Sequence, residues 1–196
     1  LFQKYSSTLV SDRHQRWDAA LQEYYPAFLQ GAINVQQLQQ SRIRHVLPEL
    51  TFTDDEALAA FEYFMVNYVE GSTLFPETRV VLTALKAKNI GLGVISNGPN
   101  YMQLRKLKAV GLYDEFDVVV TAERAGVGKP DIAIYEFALV EAGKLASECW
   151  CVGDNLQNDV LAANSAGLTG VWLDRKGNGS PEYQGRAIAS LMSLVE

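Results

Sequence analysis

The sequence predicts an α/β protein, a doubly wound parallel sheet with a helical bundle ahead of it. Three observations carry this. Residues 12–70 place their apolar side chains at three- and four-residue spacing only, the period of a helix. From Gly71 onward, short apolar runs alternate with helix-spaced segments, the pattern of parallel strands joined by crossover helices. The run Ile90 to Ile95 is apolar throughout instead of alternating, which suits a strand buried on both faces. With 196 residues, 48% of them hydrophobic and 20% charged, the chain has room for one ordinary domain or a domain with a modest insert.

In the first segment Trp17, Leu21, Tyr24 and Phe28 share one helix face, and Gly31 closes that helix. Asn34 caps a second helix through Leu38, Ile43 and Val46. Thr53-Asp54-Asp55-Glu56 has capping-box spacing, and opens a third helix through Leu58, Phe61, Met65 and Tyr68 that ends at Gly71. The second segment predicts a helix through Thr78, Val81, Leu82 and Leu85, then the strand to Ile95 and a helix over 100–110. A strand at Asp117 to Thr121 and a helix at 131–143 follow, then a strand at Cys149 to Gly153 and a helix at 158–166. The chain closes with a strand at Thr169 to Leu173, the Gly-rich loop 176–180 and a helix over 186–195. The domains are therefore residues 1–70, helical, and 71–196, α/β.

A net charge of -6, with Lys and Arg scattered, argues against a nucleic-acid footprint. No apolar run approaches the roughly 18 residues of a bilayer span. A soluble, cytoplasmic monomer or homodimer is the expectation. Cys149 and Cys151 flank Trp150 and point to one face of a strand, which predicts a buried, reduced pair.

Three loops fall at the carboxyl ends of predicted parallel strands, where open α/β sheets place their ligands. Ser96, Asn97 and Gly98 combine a hydroxyl, a backbone free to approach a ligand and a following helix N-terminus that favours an anion. Lys129 precedes Pro130, a residue favoured at the first helical position, where a cation opposes the macrodipole unless something anionic compensates. Asp154 ends one strand and Asp159 stands in the first turn of the next helix, two oxygen ligands suited to Mg²⁺. Each loop alone reads equally well as an ordinary capped turn or a solvated lysine. Together, and in this order, they suit a phosphate with a divalent cation.

Ser96-Asn97-Gly98, Lys129-Pro130 and Gly153-Asp154 with Asp159 resemble the second, third and fourth motifs of the haloacid dehalogenase superfamily. Within it the chain is most similar to phosphatases with a helical cap inserted after the first strand, and Trp17, Gly31 to Ile33, Leu38 and Arg42 point to its nucleotidase-like branch. The resemblance implies a Rossmannoid core and a Mg²⁺-dependent phosphomonoester hydrolase acting on a small phosphorylated metabolite through an aspartyl-phosphate. It implies that Ser96, Asn97 and Gly98 bind phosphate oxygens, that Lys129 neutralises charge and that Asp154 ligates Mg²⁺. Asp159 would act from behind the metal's own ligands or through water, orienting the site. The alternatives are a non-catalytic binding module of the same fold and a halide-releasing hydrolase. Arg42, with the flat face of Trp17, is the candidate for recognising a nucleoside monophosphate; the other reading makes Trp17 part of the cap core and Arg42 a rim residue.

The resemblance also implies an Asp-x-Asp nucleophile at the end of a strand before the cap. Leu1 to Val10 contains no Asp, and Asp12 is followed by Arg and His at the start of a helix. The expectation is that the strand carrying the nucleophile, the central one of the sheet, is missing from these residues. Its absence would leave a slot between the strands ending at Ser96 and Gly153, and residues 1–196 alone would be inactive.

Overall fold

The computed structural model describes residues 1–5, 13–177 and 179–196; the expected placement of Asp12 lies outside them. The chain forms two compact units, Leu1–Ser72 and Thr73–Glu196.

The first unit is built of helices: α1 (Phe2–Tyr5), α2 (Arg13–Leu29), α3 (Val35–Val46) and α4 (Asp54–Glu70). The caps predicted from sequence are formed. Asn34 accepts from the Gln37 N–H while the Gln37 side chain accepts from the Asn34 N–H, and Thr53 and Glu56 make the same reciprocal pair. The bond from the Thr53 N–H holds the Glu56 carboxyl below its usual range. Leu38, Ile43, Val46, Phe61 and Met65 are all at most 1% exposed, so α3 and α4 bury the apolar stripes read from their spacing.

The second unit runs α5 (Thr78–Ala87), β1 (Gly93–Ser96), α6 (Asn100–Ala109), β2 (Val118–Thr121), α7 (Ala122–Ala125) and α8 (Ala133–Ala142). It continues with β3 (Trp150–Gly153), a π-helical segment over Leu156–Leu161, α9 (Ala162–Ser165), β4 (Thr169–Leu173) and β5 (Ala187–Ile188). All strand pairs are parallel. β1 pairs with β2, Ser96 opposite Thr121, while β3 pairs with β4, Gly153 opposite Trp172, and β4 pairs with β5. Among the described residues β1 and β3 do not pair with each other, so the strands form two sheets. A common core ties them together. Ile134, Tyr135 and Ala138 of α8, Ala162 and Ala163 of α9, and Val120 of β2 form one buried cluster, against which Ile95 of β1 and Cys151 of β3 both pack. Cys149 and Cys151 are free thiols, partly buried there.

Four expectations change. The run from Ile90 expected as a strand buried on both faces is strand only from Gly93, and Ile90 is exposed. The helix expected over 186–195 is instead the strand β5 followed by a 3₁₀ turn at Leu191–Leu194. Its backbone is claimed by β4, since the Arg186 and Ile188 carbonyls accept the N–H groups of Trp172 and Asp174. The helix expected at 158–166 starts earlier and is π-helical through Leu161, with the Asn155 side chain accepting from the Asn158 N–H to cap it. Finally, α8 begins only at Ala133, because Asp131 accepts from the Ala133 N–H and holds residues 131–133 in a turn. Lys129 therefore does not sit at a helix N-terminus.

Candidate active site

The carboxyl ends of β1 and β3 bring three of the predicted loops together around Lys129. Its ammonium donates to Asp159 Oδ1 at 2.5 Å and to the Ile95 carbonyl at 3.1 Å. One lysine thus reaches both the β1 edge and the segment that follows β3. The pair is largely shielded from water, with side-chain exposures of 15% for Lys129 and 10% for Asp159. Compensation for the lysine's charge comes from this carboxylate and carbonyl, not from the end of a helix.

Asp159 has both oxygens engaged. While Oδ1 faces Lys129, Oδ2 accepts the Asn155 N–H at 3.0 Å. Two features press it into place. A Cβ added at Gly153 would lie 2.3 Å from the Asp159 Cβ, so only glycine fits at the end of β3. The hydroxyl of fully buried Tyr135 donates to the Asn158 carbonyl, fastening the π-helical segment to α8. Burial, before any charge effect, raises the affinity of the Tyr135 hydroxyl for its proton. That proton therefore stays in the hydrogen bond at any physiological pH. π-Helical turns commonly accompany functional sites, and here the turn sets Asp159 beneath the lysine.

Asp154 behaves differently. It is exposed, and its carboxylate makes no hydrogen bond or ion pair with the described residues, while its carbonyl accepts from the Trp172 indole at 3.0 Å. Among the described residues no group of three or more His, Cys, Asp or Glu side chains converges. A Mg²⁺ ion keeps waters and substrate phosphate and needs only one or two carboxylates. Asp154 fits that role. Asp159, bonded to Lys129 and to the Asn155 N–H, is the more engaged of the two carboxylates.

At the end of β1 the Gly98 N–H donates to Ser96 Oγ at 3.1 Å, leaving the Ser96 hydroxyl proton to be donated outward. The first N–H of α6, at Asn100, is taken by Glu123 at 2.9 Å and is not open to an anion. Cys151 lies close to the charged pair. Burial first, and the Asp159 carboxylate second, push its thiol up to about 11, with Lys129 opposing in part. A thiol that high is a poor nucleophile at neutral pH.

Arg42 and Trp17 belong to the helical unit. Arg42 is 1% exposed, with its guanidinium 4.4 Å above the Trp17 ring and 5.8 Å from Phe61, inside the helical unit. Trp17 itself packs on Phe64 at 3.9 Å. Arg42 is buried more deeply than a rim residue, while Trp17 is partly buried against the helical core. Arg42→Ala is expected to lower the thermal midpoint, at a cost of about 2 kcal/mol from the lost desolvated cation–π contact, and to leave the ranking of substrates unchanged. A thermal melt beside a substrate panel checks both.

Two contributors were not legible in the sequence: the Ile95 carbonyl, because any strand residue could supply one, and Tyr135, because it stands within an apolar run as an ordinary core position.

Residues 4–167 match the haloacid dehalogenase-like hydrolase family. The chain is 32% identical over 183 residues to a pyrimidine 5'-nucleotidase of Escherichia coli, covering 93% of this chain and 80% of that protein. It is 36% identical over 102 residues to a phosphoserine phosphatase of Thermus thermophilus, 52% of this chain but only 41% of that one. Among solved structures, a 2-haloacid dehalogenase from Pseudomonas syringae superposes with a TM-score of 0.73 at 28% identity, over 98% of this chain and 81% of that one.

Proposed function

Because the chain belongs to the haloacid dehalogenase-like hydrolases, we propose that it acts as a Mg²⁺-dependent phosphomonoester hydrolase on a small phosphorylated metabolite. The observation that carries the reading is Lys129, held between the Ile95 carbonyl and Asp159 at the strand ends where Ser96 and Asp154 also lie. A shielded ammonium beside a hydroxyl donor and an exposed carboxylate suits a phosphoryl group on one side and a hard cation on the other.

The Ser96 hydroxyl donates to a phosphoryl oxygen, joined by the backbone of Asn97, while Gly98 lets the chain pass close to the ligand. The ammonium of Lys129 balances the charge that builds on the phosphoryl oxygens as the ester bond breaks, and supplies it from a fixed position that needs no reorganisation. Asp159 holds that ammonium in place. Asp154 supplies the protein carboxylate for Mg²⁺, which when bound withdraws charge from the phosphoryl group. The attacking group in this reading is the aspartate implied by the family resemblance, which becomes the transient aspartyl-phosphate.

The sequence relatives named as phosphatases support phosphate over halide release. The test uses the protein carrying its attacking aspartate, assayed for phosphate release from p-nitrophenyl phosphate with and without Mg²⁺, and for halide release from a 2-haloacid. Phosphate release that EDTA stops is the expected outcome. Halide release without phosphate release, or phosphate binding without turnover, would overturn the reading. Pyrimidine nucleoside monophosphates belong in a second panel beside sugar phosphates, on the strength of the Escherichia coli relative alone.

A further inference from the structure

Asn97, read from sequence as part of the phosphate loop, has a side chain occupied with something else. Its Nδ2 donates to the Lys129 carbonyl at 2.8 Å, and its Oδ1 accepts the Lys129 N–H at 2.7 Å. One side-chain amide therefore pairs with both backbone groups of one residue, as a neighbouring strand would. We propose that Asn97 is the positioning residue for Lys129, a clamp that fixes the lysine backbone so that its ammonium can be delivered to one place.

Three observations support this. The first is where the anchors come from. The ammonium of Lys129 is held by the Ile95 carbonyl and its backbone by Asn97, so the end of β1 grips the lysine at both ends. A flexible four-carbon side chain is a poor positioning device unless its root is fixed. Here the root is fixed two residues along the chain from the carbonyl that the tip must reach. Gly128 gives the second: a Cβ there would lie 3.0 Å from Asn97 Oδ1 and 3.3 Å from its Cγ, so any side chain before the lysine would press on the clamp. The third is chemical. Only an amide offers a donor and an acceptor side by side. Aspartate would set an oxygen against the Lys129 carbonyl, serine would offer one atom, and glutamine would carry the pair one carbon too far.

The assignment rests on Lys129 being the cation of the hydrolytic site proposed above, but part of its test does not. Asn97→Ala and Asn97→Asp are to be compared with the unaltered protein in steady-state kinetics and in amine modification with trinitrobenzenesulfonate, followed by peptide mass mapping. Misplacement of a reacting group by about 1 Å can cost about 100-fold in rate. Both variants are thus expected to lose about 10–100-fold in kcat with KM changed much less. Lys129 alone among the lysines should become faster to modify, by about tenfold. Gly128→Ala presses a methyl group on the same amide from the other side and should show the same selective exposure of Lys129, even where the Asn97 variants fold poorly. The proposal is overturned if Lys129 keeps its protection in all foldable variants, if every lysine gains reactivity together, or if Asn97→Asp behaves as the unaltered protein. Selective exposure of Lys129 in a protein without phosphatase activity would uphold the clamp and remove the hydrolytic reading.

Discussion

Lys129→Met is expected to lose turnover and stability together. Turnover falls because the ammonium is a fixed countercharge in a shielded site, and deletion of one such donor costs about 10²–10³-fold in kcat. The fold suffers because Asp159, 10% exposed, loses the partner 2.5 Å away that neutralises it. Breaking a buried pair from one side costs about 3–5 kcal/mol, since the surviving charge stays buried. The sequence alone suggests the opposite for stability, a lysine misplaced at a helix start whose removal would be free. A urea or thermal melt of Lys129→Met decides between them: an unshifted midpoint would place the lysine in solvent and dissolve the site. Restoring neutrality with Lys129→Met and Asp159→Leu together should recover much of the stability and none of the activity.

Substitutions at the two aspartates after β3 should separate just as sharply. Asp154→Asn is expected to remove Mg²⁺ activation, through a loss of metal affinity exceeding the about 10–100-fold typical of residues behind the metal's own ligands. Its stability cost should be within about 0.5 kcal/mol, because the side chain is exposed and makes no bond to the described residues. With Asp159→Asn the outcome reverses. It leaves the shielded Lys129 ammonium without its countercharge, so the melt shifts strongly, while Mg²⁺ affinity changes less than in Asp154→Asn. Magnesium titration by calorimetry, beside the melts, reads both effects. Equal shifts from both substitutions would mean that the loop is no more than a capped turn.

The helices of the first unit were legible because their causes are local. Asn34 with Gln37 and Thr53 with Glu56 form caps within four residues of chain, and the stripes through Leu38 and Phe61 need only the helical period. Parallel strands were legible from short apolar runs, although the run from Ile90 is strand only from Gly93 and Ile90 itself is exposed. The last predicted helix failed at Ala187 and Ile188, where pairing with Trp172 and Leu173 outweighed a helix-compatible pattern. Such pairing depends on a partner 15 residues away, which periodicity does not see.

By itself, the sequence determined the family, most of the order of elements and which loops carry Ser96, Lys129, Asp154 and Asp159, since strand ends and residue types are written along the chain. Tertiary structure alone decided what those residues do to one another. It joined Lys129 to Asp159 across 30 residues, gave Asn97 to the lysine backbone, left Asp154 alone in solvent, and sank Arg42 beneath Trp17. The physical reason is that an ion pair or a side-chain clamp is set by distance and burial in space. Both depend on how β1, β3 and the cluster around Tyr135 pack, and packing is a property of contacts that no local pattern of residues records.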